Sequence, residues 1–302
     1  MFTALARVIV VLVTIAILAV LAWPQFFGLQ NAWVVAHAVS LRGLAVIVAL
    51  ALLALLAVLL LLVRPLRGTT AVLMVLLVLF GAVNTGILLH RGIGAGAAPT
   101  ADADADADAS ITVLSWNTLG DEPGAENIAA LAVAEGADVI TLPETTEETG
   151  VLIAEAMRAA GRPMWVHTLA FDLISKARST TLLISPDLGD YTVTSAEGSG
   201  PPGNTNVLPT VVAAPADGDG PTIIAVHAVA PIQWEMSNWR SDLDWLAEQC
   251  TSAADSNVIM AGDFNATLDH FAGHADTGSD QLGGCRDAAL SAGSAAVGTW
   301  PT

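Results

Sequence analysis

The sequence predicts an α/β domain carried behind a bundle of three transmembrane helices. Residues 1–100 contain no Asp or Glu and five arginines, Arg7, Arg42, Arg64, Arg67 and Arg91. Within them, Leu44–Val63 is an uncharged apolar run of 20 residues and Ala71–Leu89 another of 19, both long enough to cross a bilayer. From residue 110 onward the apolar runs shorten to strand length. Several of them end on a polar residue, as buried strands do when they deliver side chains at their carboxyl ends.

The amino-terminal spans are expected at about 8–27, 44–63 and 71–89, making residues 1–91 a membrane domain. Val8–Ala22 is the shortest run, and Trp23, Phe26 and Phe27 extend it with an aromatic belt. A cleaved signal peptide is the alternative for this segment. Only Val20-Leu21-Ala22 approaches a cleavage site before Pro24, which favours a retained span. Asn84 and Thr85 inside the third run suit interhelical hydrogen bonding. Arg7, Arg64 and Arg67 fall on one side of the membrane, Arg42 and Arg91 on the other. The bias favours a cytoplasmic amino terminus and an extracellular soluble domain at the plasma membrane.

Gly92–Ala109 ends in four Ala-Asp repeats, whose like charges favour an extended tether over a cation-binding tract. The soluble domain is expected over 110–302. Residues 101–302 hold all 29 acids and six of the 11 bases, a formal charge of −23. Helices are expected around Asn127–Glu135 and Leu152–Ala160, and a mobile Gly/Pro/Asn-rich loop over Ser195–Asn206. Met236, Trp239, Leu243 and Leu246 form one stripe of an amphipathic helix ending at Cys250.

The chemistry lies at the strand ends. Val258-Ile259-Met260-Ala261 is a buried strand, and Gly262-Asp263-Phe264-Asn265 follows it. In extended geometry Asp263 and Asn265 point the same way while Phe264 packs oppositely. An ordinary strand-end turn uses the same residue types. The arrangement recurs, however: Asn117 follows Ile111–Trp116, Glu144 follows Asp138–Pro143, and His227 follows Thr222–Val226. In α/β sheets, ligands collect outside the carboxyl ends of strands.

The series LSWNT, LPE, VHAVAP and GDFNAT, in this order over Ser110–Thr302, resembles the endonuclease/exonuclease/phosphatase superfamily, with GDFN the most specific piece. The resemblance implies a four-layer αββα sandwich of two mixed sheets. It implies a hydrolase using Mg2+ or Mn2+, with Glu144 binding the metal and Asn117 supporting it or the phosphate. Asp263 would orient and help deprotonate the attacking water, Asn265 would hold the water or phosphate in line, and His227 would donate to a phosphate oxygen. Family members continue past a GTWP-like segment into two strands carrying Asp-His or Asp-Arg and Ser-Asp-His. Gly298–Thr302 carries neither, so the carboxy-terminal strands are expected to be missing, one sheet to keep an open edge, and this stretch alone to turn over little substrate. His167, His270 and His274 are expected at the surface, and Asp287 as a helix N-cap.

The remaining expectations concern partners. Cys250 and Cys285 suit either a disulfide in an oxidising compartment or two separate buried thiols. Six bases without a basic run give little of the counterion release that drives nucleic-acid binding, so duplex nucleic acid is disfavoured. The expected function is a membrane-anchored phosphodiesterase or phosphomonoesterase acting on a compact phosphoester or phospholipid. A non-catalytic, membrane-tethered binding domain and a surface nuclease are the alternatives.

Overall fold

The computed structural model describes residues 2–94, 110–172, 174–195, 199–252, 257–274 and 282–299. The Ala-Asp repeats of the expected tether lie outside them. The chain forms two compact units. The first gathers Met1–Thr100 with Leu268–Gly273 and Arg286–Thr302; the second holds Ala101–Thr267 and His274–Cys285. The described architecture is mixed α/β with two four-stranded mixed sheets, preceded by three helices long and apolar enough to cross a membrane.

In the first unit the long helices are α1 (Phe2–Ala22), α3 (Arg42–Leu62) and α4 (Arg67–Arg91), with a short α2 (Trp33–Ser40) between the first two. Pro24 opens a 3-10 turn over Pro24–Phe27 and leaves Trp23 and Phe26 exposed. Ala49, Leu77 and Phe80 form the shared core, with Leu18, Leu21 and Leu53 packed on it. Two short helices from far along the chain, Leu268–Phe271 and Ala288–Ser291, belong to the same unit. Asp287 caps the latter, accepting from the Leu290 N–H.

An ion cluster pins the first of these helices. Arg42, the opening residue of α3, donates to both Asp269 carboxylate oxygens, Nε to Oδ2 at 2.8 Å and Nη2 to Oδ1 at 2.6 Å. Arg91, the last residue of α4, donates to Oδ2 at 2.8 Å, and Gln25 Nε2 donates to Oδ1 at 2.9 Å. Arg42 also donates to Asn84 Oδ1, so Asn84 serves an arginine as well as Phe80 O on its own helix. Burial pushes the Asp269 carboxyl up, but the Arg42 and Arg91 hydrogen bonds and charges outweigh it and hold the group well below the usual carboxylate range. His270, expected at the surface, is instead fully buried, with Nε2 3.1 Å from Ala36 O. Its burial lowers the pKa to about 4. Nothing in its local sequence distinguishes this buried histidine from a loop histidine, because its backbone partner Ala36 lies 234 positions away.

In the second unit the first sheet contains β1 (Val113–Ser115), β2 (Val139–Pro143), β3 (Trp165–Ala170) and β4 (Ser179–Ile184), in the order β1-β2-β4-β3. β1 and β2 are parallel, and β4 is antiparallel to both β2 and β3. The carboxyl ends of β1, β2 and β3 therefore lie at one end of the sheet. The second sheet runs in sequence order through β5 (Tyr191–Val193), β6 (Val211–Pro215), β7 (Thr222–His227) and β8 (Val258–Asp263), with β7 and β8 parallel.

The sheets share a core of Val139, Leu182 and Ile184 from one and Val211, Ile223 and Ala225 from the other. α5 (Ala125–Glu135) and α6 (Glu147–Ala159) cover the outer face of the first sheet through Ile128, Ile153 and Met157. α7 (Met236–Ser252) lies in the β7–β8 crossover with Trp239, Leu243 and Leu246 buried. Within residues 199–206 of the Gly/Pro-rich segment expected to be mobile, Asp242 accepts from the Thr205 N–H and hydroxyl and Trp245 donates to Pro202 O; residues 196–198 lie outside the described residues. Cys250 and Cys285 form a disulfide with Cα atoms 5.3 Å apart. His274, also expected at the surface, is largely buried and pairs with Asp244 at 2.9 Å. His167 is half-buried on β3.

Three outcomes follow. Asp269→Ala leaves two buried guanidinium groups without their carboxylate, and denaturation of the full chain in detergent should show a loss of about 3–5 kcal/mol; an unchanged midpoint would contradict the cluster. Buried neutral His270 contributes stability that is complete above about pH 6.5 and erodes as pH falls toward 4. His270→Gln, which keeps a donor for Ala36 O, should therefore move the acid-unfolding midpoint to lower pH. Thiol titration of denatured, unreduced chain should find no free thiol, and reduction should cost about 3–4 kcal/mol for a loop of this length; two free thiols would rule out the crosslink.

Candidate active site

β1 and β8 are edge strands of their respective sheets and lie against each other, so their carboxyl ends meet. Asn117, two residues beyond β1, uses that proximity. Its Nδ2 donates to Glu144 Oε1 at 3.0 Å and to Asp263 Oδ2 at 2.9 Å, while its Oδ1 accepts from the Leu119 N–H at 2.9 Å. One carboxamide thus bridges two carboxylates that come from different sheets. Two anions held this close repel each other, and a shared donor relieves only part of that repulsion.

Glu144 owes its position to an unusual backbone. It follows β2 with φ +61°, a left-handed conformation that costs a non-glycine residue about 1–2 kcal/mol. Its N–H donates to Ser179 O at 2.9 Å, and its carbonyl accepts from the Thr118 hydroxyl at 3.0 Å. Backbone bonds on both sides of the carboxylate over-determine the turn, as is common at functional sites.

Asp263 ends β8 directly opposite His227 in the parallel register. Gly262 before it has φ +142°, and a Cβ there would stand 2.0 Å from Val226 O, so only glycine allows the close approach of β8 to β7. Asp263 Oδ1 accepts from the Asn265 N–H at 2.8 Å, and its carbonyl accepts from the Ala228 N–H. Asn265, with φ +47°, donates from Nδ2 to Ala228 O at 2.9 Å, and its own carbonyl accepts from Trp239 Nε1. The GDFN turn is therefore fastened to β7 and to α7.

His227 sits deeper, with 1% of its surface exposed and Nδ1 3.0 Å from the Thr180 hydroxyl. Burial lowers its pKa to about 4 against the attraction of the Asp263 carboxylate, so the ring is neutral at pH 7. Asn117, Glu144 and Asp263 thus share direct hydrogen bonds, Asn265 joins through the Asp263 turn, and His227 stands beside Asp263 without bonding to the other three.

Asp121 lies outside the motifs, and Thr118, the last residue of LSWNT, carries a supporting role that the motif alone does not assign. Asp121, at φ +70°, accepts from the Thr146 N–H and hydroxyl and pairs with Lys176 at 3.2 Å. Only Gly120-Asp121 gave a local signal, that of a turn. Among the described residues, no group of three or more His, Cys, Asp and Glu side chains is placed to hold a metal. The site offers the oxygens of two carboxylates, while the Asn117 amide turns Nδ2 to both and Oδ1 to the Leu119 N–H. This oxygen-only set suits Mg2+, which keeps several waters and binds through one or two carboxylates plus substrate phosphate.

No curated protein matches the chain. Residues 114–302 match the model of the Endonuclease/Exonuclease/phosphatase family, which covers more than half of the chain. The chain therefore belongs to the Endonuclease/Exonuclease/phosphatase family.

Proposed function

We propose that this protein is a membrane-anchored, Mg2+-dependent phosphoesterase that hydrolyses a compact or lipid-borne phosphoester. The observation that supports it best is the Asn117 bridge, which gathers Glu144 and Asp263 at one point. The family is generally hydrolytic and typically uses divalent metals. Glu144 and Asn117 would hold Mg2+ or Mn2+, and the ion supplies charge neutralisation and Lewis acidity when bound. Asp263, its carboxylate fixed by two donors, orients the attacking water and accepts its proton. Asn265 spends one amide hydrogen on Ala228 O and keeps the other for the water or phosphate. His227, neutral at pH 7, donates to a non-bridging phosphate oxygen as negative charge builds there. For that donation to come from Nε2, Nδ1 accepts from the Thr180 hydroxyl 3.0 Å away, which can act as donor or acceptor.

Charge supports the substrate ranking. Lys176 and Arg178, the one small basic cluster in the soluble part, are each paired with an acid, Asp121 and Asp172. That leaves little positive surface for a long nucleic acid. The disulfide supports an oxidising compartment, and therefore a soluble domain outside the plasma membrane.

The test uses the full chain in detergent. Saturating Mg2+ or Mn2+ should stabilise it, by about 2.7 kcal/mol at one hundred times the dissociation constant. The shift should be absent in Glu144→Gln. A panel of a lipid phosphodiester, a phosphomonoester and single- and double-stranded DNA measures turnover. In a form of the chain that also carries the family's two carboxy-terminal motifs, activity should vanish on chelation and fall at least about 100-fold in Glu144→Ala, Asp263→Ala and His227→Gln. Retained turnover in the first two variants, or no metal-dependent shift in the parent chain, would overturn the assignment; DNA as the fastest substrate would overturn the ranking.

A further inference from the structure

The three most exposed large apolar side chains among the described residues of the second unit are Leu119 at 69%, Ile174 at 95% and Trp234 at 77%. Scattered exposed apolar residues are ordinary on a protein surface, but these are not scattered. Leu119 lies in the loop after β1, Ile174 in the loop after β3 and Trp234 in the loop after β7, beside half-exposed Ile232. The pairing directions put the carboxyl ends of β1 and β3 at one end of the first sheet, the end that carries Asn117 and Glu144. The carboxyl end of β7 carries His227 opposite Asp263. All three apolar tips thus emerge from the end that carries the candidate site.

The tips are also built to stay outward. The Leu119 N–H is held by Asn117 Oδ1. Asp172 accepts from the Ile174 and Ser175 N–H groups at 2.9 and 2.6 Å, which shapes the turn that presents Ile174. Lys176 pairs with Asp121 and joins that loop to the one after Asn117.

We infer that Leu119, Ile174 and Trp234 form an apolar rim that enters the surface of a phospholipid bilayer and delivers a lipid-borne phosphoester to the site. The occupant is a zwitterionic lipid surface for two reasons. Three helices of membrane-spanning length in the same chain keep a bilayer within tether reach, so even weak insertion is intramolecular in concentration. The formal charge of −23 over residues 101–302 repels an anionic surface, so contact through aliphatic and indole groups is the interaction left to it. Trp at a membrane–water interface fits the same chemistry. The substrate half of this inference rests on the phosphoesterase reading; the insertion half does not.

The experiment places a nitroxide at Ile174→Cys or Trp234→Cys in the full chain, in phosphatidylcholine nanodiscs, with Asp219→Cys as the control in the β6–β7 turn at the opposite end. Collision with oxygen relative to a water-soluble nickel chelate should be raised at the rim positions and not at the control. Equal accessibility at all positions would overturn insertion. Rim labels shielded from both reagents, in detergent as well as in nanodiscs, would indicate a protein neighbour such as a second copy and would also overturn it. For the substrate half, Ile174→Ser with Trp234→Ser should lower turnover of the phosphoester in vesicles at least about tenfold. The same headgroup without acyl chains should be turned over as before. Equal loss on both substrates would overturn lipid delivery. Absence of metal-dependent stabilisation, with rim labels still lipid-exposed, would instead sink the phosphoesterase reading alone.

Discussion

The geometry of the candidate site depends on one side chain, the carboxamide of Asn117, which holds Glu144 and Asp263 together across two sheets. Like charges this close would separate if they were free to do so. Here they are not. Glu144 is locked by backbone bonds to Ser179 and Thr118, and Asp263 by bonds to Asn265 and Ala228. The fold spends left-handed backbone at Glu144 and Asn265 to aim these groups. Such an arrangement leaves a concentrated negative potential at the meeting of the two sheets.

In the other unit one carboxylate does the corresponding work. Asp269 gathers arginines from the two ends of α3 and α4 and a glutamine from the turn after α1. Its position in sequence is telling: Leu268 follows the GDFNAT segment directly, yet Leu268–Gly273 belongs to the unit of apolar helices. Arg42 and Arg91 thus have a structural duty, apart from any they have in setting the orientation of the chain in a membrane.

Much of this was legible in the sequence for definable reasons. Buried strands must be apolar along their length, so a lone polar residue at the end of each stands out; that is how Asn117, Glu144, His227 and Asp263 were found. Helical periodicity marked the Trp239, Leu243 and Leu246 stripe, and bilayer length marked the long helices. What escaped depends on contacts distant in sequence or on backbone conformation. The helix at Trp33–Ser40 has only eight residues, about two turns, too few for a helical period to stand out beside runs of bilayer length. His270 and Asp269 look like loop residues until their partners, more than 170 positions away, are placed beside them. The supporting role of Asp121 depends on its positive φ, for which the Gly120-Asp121 turn pair is the one local signal.

The proposed hold of Glu144 and Asn117 on one cation, with Asp263 beside it, is tested most directly by anomalous scattering from crystals of the full chain grown or soaked with Mn2+. The account predicts a single strong anomalous peak in the second unit, about 2.0–2.3 Å from a Glu144 carboxylate oxygen and absent from Glu144→Gln crystals. A peak elsewhere with none at Glu144, at saturating Mn2+, would contradict it.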